Sequence, residues 1–234
     1  AAISLRPALS ELEKIYEAEH PEVDLVTNYG SSGSLRAQIE NGAPIDVFLS
    51  AHRVHIDALI DGGFGEPDRV RAIAANTLVV AWSRRFLQDH PDYRPALRNL
   101  ASPQVSRVAM GAPDSVPAGQ YARQALAHYD RFRALESRLV FTKDALQILT
   151  YLENGLVDAG LLYGTDYARS EKLADGITVP PEAHDPIRYY LIDLADGRNR
   201  AASDLVAFLA SDRARRLFEA AGFRVDRTPY RALP

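Results

Sequence analysis

The chain has no cysteine, one methionine and one tryptophan among its 234 residues. Without thiols it can form no disulfide, no thiolate nucleophile and no thiolate metal ligand. No apolar run approaches the roughly 18 residues that a membrane-spanning helix requires. Excess positive charge is absent too: 27 Lys and Arg stand against 31 Asp and Glu, a net charge of −4. The one basic cluster, Arg213-Ala214-Arg215-Arg216, shares a helical segment with Leu217 and Phe218 and reads as its solvated face. No nucleic-acid partner is therefore expected. No glycine-rich loop ends in Lys-Ser or Lys-Thr to cradle a nucleotide, and no repeat or low-complexity tract interrupts the chain. What is there is ordinary globular composition, 47% hydrophobic and 25% charged. The length suits one large domain or two lobes of about 100 residues each.

Along the chain, strand-like and helix-like segments alternate. Ser4 is expected to cap a helix through about His20, with Leu5, Leu9, Leu12, Ile15 and Tyr16 on its inner face. Val23 to Asn28 alternates and predicts a strand, followed by the helix of Leu35 to Asn41. Ile45 to Ser50 is a short strand, Val54 to Asp61 a helix, and Thr77 to Trp82 the strongest buried-strand run. The middle of the chain repeats the pattern. Val105–Gly111, Leu139–Phe141 and Ala159–Tyr163 read as strands, each leading to a helix start near Pro117, Lys143 and Gly164. Ile187 to Leu194 is a late strand, and Ala201 to Ala221 one amphipathic helix. The alternation predicts an α/β protein with mostly parallel sheets flanked by helices. Helix-start loops fall into two groups, before residue 80 and between 111 and 166. We therefore expect one lobe of residues 1–78 with 187–234 and a second of 79–186, with ligand taken in a cleft at the carboxyl ends of the strands.

The most informative stretch is Tyr29-Gly30-Ser31-Ser32-Gly33-Ser34-Leu35. It carries the chain from an extended segment into a helix through hydroxyl-bearing, sterically relaxed backbone. A helix start leaves N–H groups without intrahelical partners and bears the positive end of the helix dipole, so it can cradle an anion. Ser32 is also an ordinary candidate for a helix cap.

Four blocks, in order, resemble the periplasmic molybdate-binding proteins of ABC transporters, which have the type II periplasmic solute-binding fold. They are Ala1-Ala2-Ile3-Ser4-Leu5; Ser31 to Ile39 with Gly42-Ala43-Pro44 and Asp46 to Ala51; Val116 to Ala122; and Leu162-Tyr163-Gly164-Thr165-Asp166. The resemblance runs over essentially the whole chain. It implies oxyanion ligands at Ser4, Ser32, Ala118, Ala145 and Tyr163, with hydroxyls from the serines and tyrosine and backbone N–H groups from the alanines. It implies capture of molybdate, with tungstate as co-ligand, no further cofactor, and delivery by a monomeric receptor to a membrane permease. It further implies a periplasmic location after removal of a signal peptide, and a first strand preceding Ala1.

Other classes remain open on the residues alone. A hydrolase would need a base beside a nucleophile such as Ser32, and the histidines are His20, His52, His55, His90, His128 and His184. His52 and His55 are three apart on a helix, with Asp57 near, but no third metal ligand is evident. Neither catalysis nor a bound metal cation is expected. An oxyanion-sensing domain of a cytoplasmic regulator, or a receptor for another tetrahedral oxyanion such as sulfate, would use the same residues.

Overall fold

The computed structural model describes residues 1–173, 175–195 and 198–224; residues 225–234, part of the expected first lobe, lie outside them. In chain order the elements are a 3-10 turn (Ile3–Leu5), α1 (Arg6–Glu19), α2 (Ser32–Glu40), β1 (Val47–Ser50), α3 (Arg53–Asp61), β2 (Val70–Ala75), β3 (Leu78–Trp82) and α4 (Arg84–Asp89). Then come β4 (Val108–Gly111), α5 (Pro117–His128), α6 (Phe132–Leu135), β5 (Leu139–Thr142), α7 (Ala145–Glu153), β6 (Ala159–Tyr163) and α8 (Gly164–Arg169). The last are β7 (Gly176–Thr178), β8 (Arg188–Asp193), α9 (Arg200–Leu209) and α10 (Asp212–Ala220). The chain forms two compact units, residues 1–75 with 188–224, and residues 76–187.

In the first unit, Leu5, Leu9, Leu12 and Tyr16 recur at helical spacing along the first turn and α1, and all four are buried. Each such side chain removed from water contributes about 1.5–3 kcal/mol. The sheet has the order β1-β8-β2. Phe48, Val70, Tyr190 and Ile192 from its strands pack on Leu35 and Ile39 of α2 and on Ile56 and Leu59 of α3. Both pairings are antiparallel, Phe48 opposite Ile192 and Ala72 opposite Tyr190. The expected parallel arrangement thus does not extend to this sheet, because the late strand β8 enters it running against both neighbours.

The second unit carries a five-stranded sheet of order β5-β4-β6-β3-β7. Here β4 is parallel to β5 and β6, while β3 is antiparallel to β6 and β7. Every residue of β3, β4 and β6 is buried. That two-sided burial is why these strands read as continuous apolar runs rather than alternating ones.

Three local expectations are corrected. Residues 23–28 form no ladder with another strand, and Val26 stands 92% exposed. Side chains of α1 hold this segment instead: the Leu25 N–H donates to Glu17 Oε1 and the Thr27 hydroxyl to Glu13 Oε1. Alternation alone cannot make a strand where no neighbour supplies the ladder. Ser4 lies in the 3-10 turn and not at a helix cap; the residue before α1 is Leu5, without a side-chain cap. The single helix expected over 201–221 is two, because Ser211 leaves helical geometry and its Oγ accepts from the Ala214 N–H to start α10.

Candidate functional site

In the first unit three chain segments converge at the end of β1. The Ala2 N–H donates to Leu49 O at 2.8 Å, the Ile3 N–H to Gly30 O at 2.9 Å, and the Ala51 N–H to Ser32 Oγ at 3.0 Å. This brings the Ser4 turn and the start of α2 together. The cap of α2 is Ser31, whose Oγ accepts from the Ser34 N–H at 3.3 Å. Ser32 is therefore relieved of capping and is the first helical residue, fully buried. No carbonyl of its own helix can reach its N–H or that of Gly33. Ser4 is buried as well, and its Oγ accepts from the Tyr189 hydroxyl at 3.1 Å. Two buried serine hydroxyls and the positive end of α2 thus occupy one end of this unit.

In the second unit the parallel strands β5, β4 and β6 end side by side at Thr142, Gly111 and Tyr163, and each leads to a helix start. Ala118 is the second residue of α5, after Pro117, whose fixed φ suits the first position. Gly119 lets this start lie close on β4: a Cβ there would fall 2.0 Å from Gly111 O. Ala145 is the first residue of α7. Asp144 caps it by accepting from the Gln147 N–H at 2.9 Å, while Gln147 Oε1 accepts from the Lys143 N–H at 2.9 Å. Ala118 and Ala145 are both buried, and both present first-turn N–H groups that their helices cannot satisfy. Tyr163 closes β6 at the start of the short α8 and is 1% exposed. Asn76 pins this start. Its Nδ2 donates to Thr165 Oγ1 at 2.9 Å and its Oδ1 accepts from the Thr77 N–H at 2.9 Å, while the Gly164 N–H reaches Thr77 O at 2.8 Å.

One carboxyl lies near these donors. Asp166, in the first turn of α8, is 1% exposed and ion-pairs with Arg169. Burial raises its pKa to about 6 against the opposing pull of Arg169, and the nearby Asp144 charge adds to the rise. Elsewhere, in the first unit, His55 is buried with both ring nitrogens lacking hydrogen-bond partners among the described residues. Burial lowers its pKa to about 4, with contributions from His52 and Arg36. Its neighbour His52 caps α3, its Nδ1 accepting from the Val54 N–H. Among the described residues no three His, Asp or Glu side chains come together as a metal site would need.

The sequence-predicted residues therefore fall into two sets. Ser4 and Ser32 lie on segments joined near the end of β1 in the first unit, and in the second Ala118 and Ala145 stand at helix starts that follow β4 and β5 while Tyr163 ends β6. Sequence reasoning missed the Asn76 clamp, the Tyr189 bond to Ser4 and the buried Asp166. Asn76-Thr77 ahead of the Leu78 strand was a legible turn signal; the Tyr189 bond to Ser4 is a long-range contact with no local signature, and the burial of Asp166 is set by tertiary packing although its partner Arg169 is three residues on. Chemically both sets offer hydroxyl and amide donors suited to an oxyanion.

Known proteins resemble this chain over most of its length. A Bacillus subtilis protein described as an ABC transporter substrate-binding lipoprotein, YvgL, is 34% identical over 97% of this chain and 85% of its own length. The molybdate-binding protein ModA of Haemophilus influenzae is 28% identical over 95% of this chain and 87% of its own. The solved periplasmic molybdate-binding protein of Azotobacter vinelandii shares the fold, with a TM-score of 0.82 over 97% of each chain at 23% identity. The family of bacterial extracellular solute-binding proteins matches residues 1–224, and this chain belongs to it.

Proposed function

We propose that this solute-binding protein captures molybdate, and tungstate with it, in the periplasm and passes it to the membrane permease of an ABC transporter, without catalysis and without a further cofactor. The observation that carries the reading is the set of buried donors at strand ends: the Ser4 and Ser32 hydroxyls beside the start of α2, and the Ala118 and Ala145 N–H groups with Tyr163 at the starts of α5, α7 and α8. The molybdate-binding relatives support the choice of anion. A dianion leaving water needs many donors on tetrahedral oxygens and a field that offsets lost hydration. Neutral hydroxyls, amides and helix starts supply both without a counter-charge.

Selection among dianions follows from size. Sulfate carries the same charge with shorter bonds, so donors spaced for molybdate would not all reach its oxygens. Protonated phosphate needs an acceptor for its hydrogen, and none of the five residues is proposed to act as one. The protein acts as a monomer in this reading. Thermal unfolding with molybdate, tungstate, sulfate and phosphate in turn tests it. A ligand at about 100 times its Kd adds roughly 2.7 kcal/mol of stability. Molybdate and tungstate alone should raise the midpoint. A shift with sulfate or phosphate instead would replace the substrate, and no shift with any of them would overturn the oxyanion reading.

A further inference from the structure

Two of the donors proposed for the oxyanion in the second unit stand beside acidic residues. Ala145 opens α7 directly after its cap, Asp144, and Tyr163 is followed three residues on by Asp166, in the first turn of α8. A helix start ordinarily favours a carboxylate at that place. In α8, however, the first two N–H groups are already taken: Gly164 donates to Thr77 O at 2.8 Å and Thr165 to Asn76 Oδ1 at 3.4 Å. Asp166 Oδ1 accepts from Arg169, and Oδ2 is buried with no hydrogen-bond partner among the described residues. The Asp166 side chain is 2% exposed and that of Arg169 38%, so the ion pair joins a dry carboxyl to a guanidinium that water screens.

Helix α8 packs on β3, β6 and α7. Strand β3 brings no ionisable side chain and β6 only Tyr163. From α7 come Asp144 at the cap and, toward the other end, Tyr151 and Glu153, with the exposed Lys143 just before the cap; Glu153 Oε1 accepts from the Ser170 hydroxyl at 2.7 Å. Its own helix adds Arg169 and Tyr167, whose hydroxyl accepts from the Gly176 N–H at 2.9 Å. The charges acting on Asp166 are one cation, Arg169, and one anion, Asp144. Burial outweighs the cation and holds the carboxyl pKa up at about 6, which places its titration close to neutral pH.

We infer that Asp166 couples capture of the anion to pH: a dianion held by the Ala145 N–H and the Tyr163 hydroxyl drives a proton onto the Asp166 carboxyl, and the ionised carboxyl opposes the dianion. The inference rests on the proposed oxyanion site and deepens it. The proton comes from solvent, and no bond of the anion is made or broken. Like charges repel more strongly in a dry site, because the interaction scales inversely with the local dielectric constant. Protonation removes that repulsion and converts an orphan acceptor into an O–H donor. Molybdate, tungstate and sulfate keep both charges from about pH 6 to 8, so over this range the protein supplies the titrating group. The coupling sets how tightly a dianion binds at each pH, not which dianion binds.

Titration calorimetry with molybdate at pH 6.5, in two buffers of different ionisation enthalpy, counts the protons taken up on binding. Repulsion worth a tenfold preference for the protonated carboxyl predicts uptake of about half a proton, and an affinity roughly fivefold weaker at pH 8 than at pH 6. Asp166→Asn cannot titrate at this position. It should bind without that uptake and with an affinity that varies by less than about twofold over the same range. The carboxyl-carbon NMR shift of Asp166 in the wild type gives a readout that needs no variant: its midpoint should rise by about one pH unit when molybdate is added. Binding without proton uptake, binding with proton release, or uptake undiminished in Asp166→Asn would overturn the inference and leave the oxyanion site in place. Absence of molybdate binding by the wild type at every pH would overturn the site and the inference together.

Discussion

Replacing Asp166 by Asn gives the most demanding check on the electrostatics of the second unit. The carboxyl is nearly inaccessible, and burial lifts its pKa from 3.8 to about 6 although Arg169 is beside it. The folded state therefore holds this proton more tightly than the unfolded chain does. Its favourable contribution is complete below the unfolded pKa and is lost as pH rises through the folded value. Across roughly two pH units at about 1.4 kcal/mol each, the wild type loses on the order of 3 kcal/mol relative to a neutral side chain. Asp166→Asn keeps the shape and removes the titration. Urea unfolding of both proteins from pH 4 to 7 should show the variant gaining about 3 kcal/mol on the wild type over that range. Parallel profiles would refute the buried-carboxyl argument. A variant that loses ground as pH rises would show that Arg169 outweighs burial and that the pKa is depressed instead.

Three further outcomes are expected. His55 titrates with the opposite slope: its folded pKa of about 4 lies below the ordinary 6.5, so its contribution is present above pH 6.5 and lost on acidification. His55→Leu should therefore flatten acid destabilisation between pH 6.5 and 4 by roughly 3 kcal/mol in urea titrations. Gly119→Ala drives a methyl to within 2.0 Å of Gly111 O; calorimetry should record about 3 kcal/mol or more of lost stability. Ser32→Ala removes the acceptor of the buried Ala51 N–H, and thermal melts without ligand should register a loss of about 1–3 kcal/mol.

Much of this arrangement is written locally. The Leu5, Leu9, Leu12 and Tyr16 stripe, the buried runs of β3 and β6, and the turns before Pro117 and Gly164 are all visible as periodicity and punctuation. The serine-rich start of α2 was legible for the same reason, although Ser31 and not Ser32 proved to be the cap. What stayed hidden depends on partners distant in sequence. Val23 to Asn28 has a strand's alternation but no neighbouring strand, and its ties run to Glu13 and Glu17. Strand β2 was missed because Val70-Arg71-Ala72-Ile73-Ala74-Ala75 is weakly patterned and owes its pairing to β8, over a hundred residues later. The break at Ser211 turned on one cap inside an otherwise continuous amphipathic pattern. Among the site residues, sequence could name Ser4 but not its Tyr189 partner.

The most direct measurement is calorimetric titration of the protein with molybdate, with sulfate in parallel, repeated on Tyr163→Phe. Saturable one-to-one binding of molybdate is expected, with none of sulfate at the same concentrations. Loss of the Tyr163 hydroxyl should weaken molybdate binding by about 1–3 kcal/mol, roughly 5- to 150-fold. Saturable sulfate binding without molybdate binding, or an unchanged molybdate affinity in Tyr163→Phe, would contradict the account.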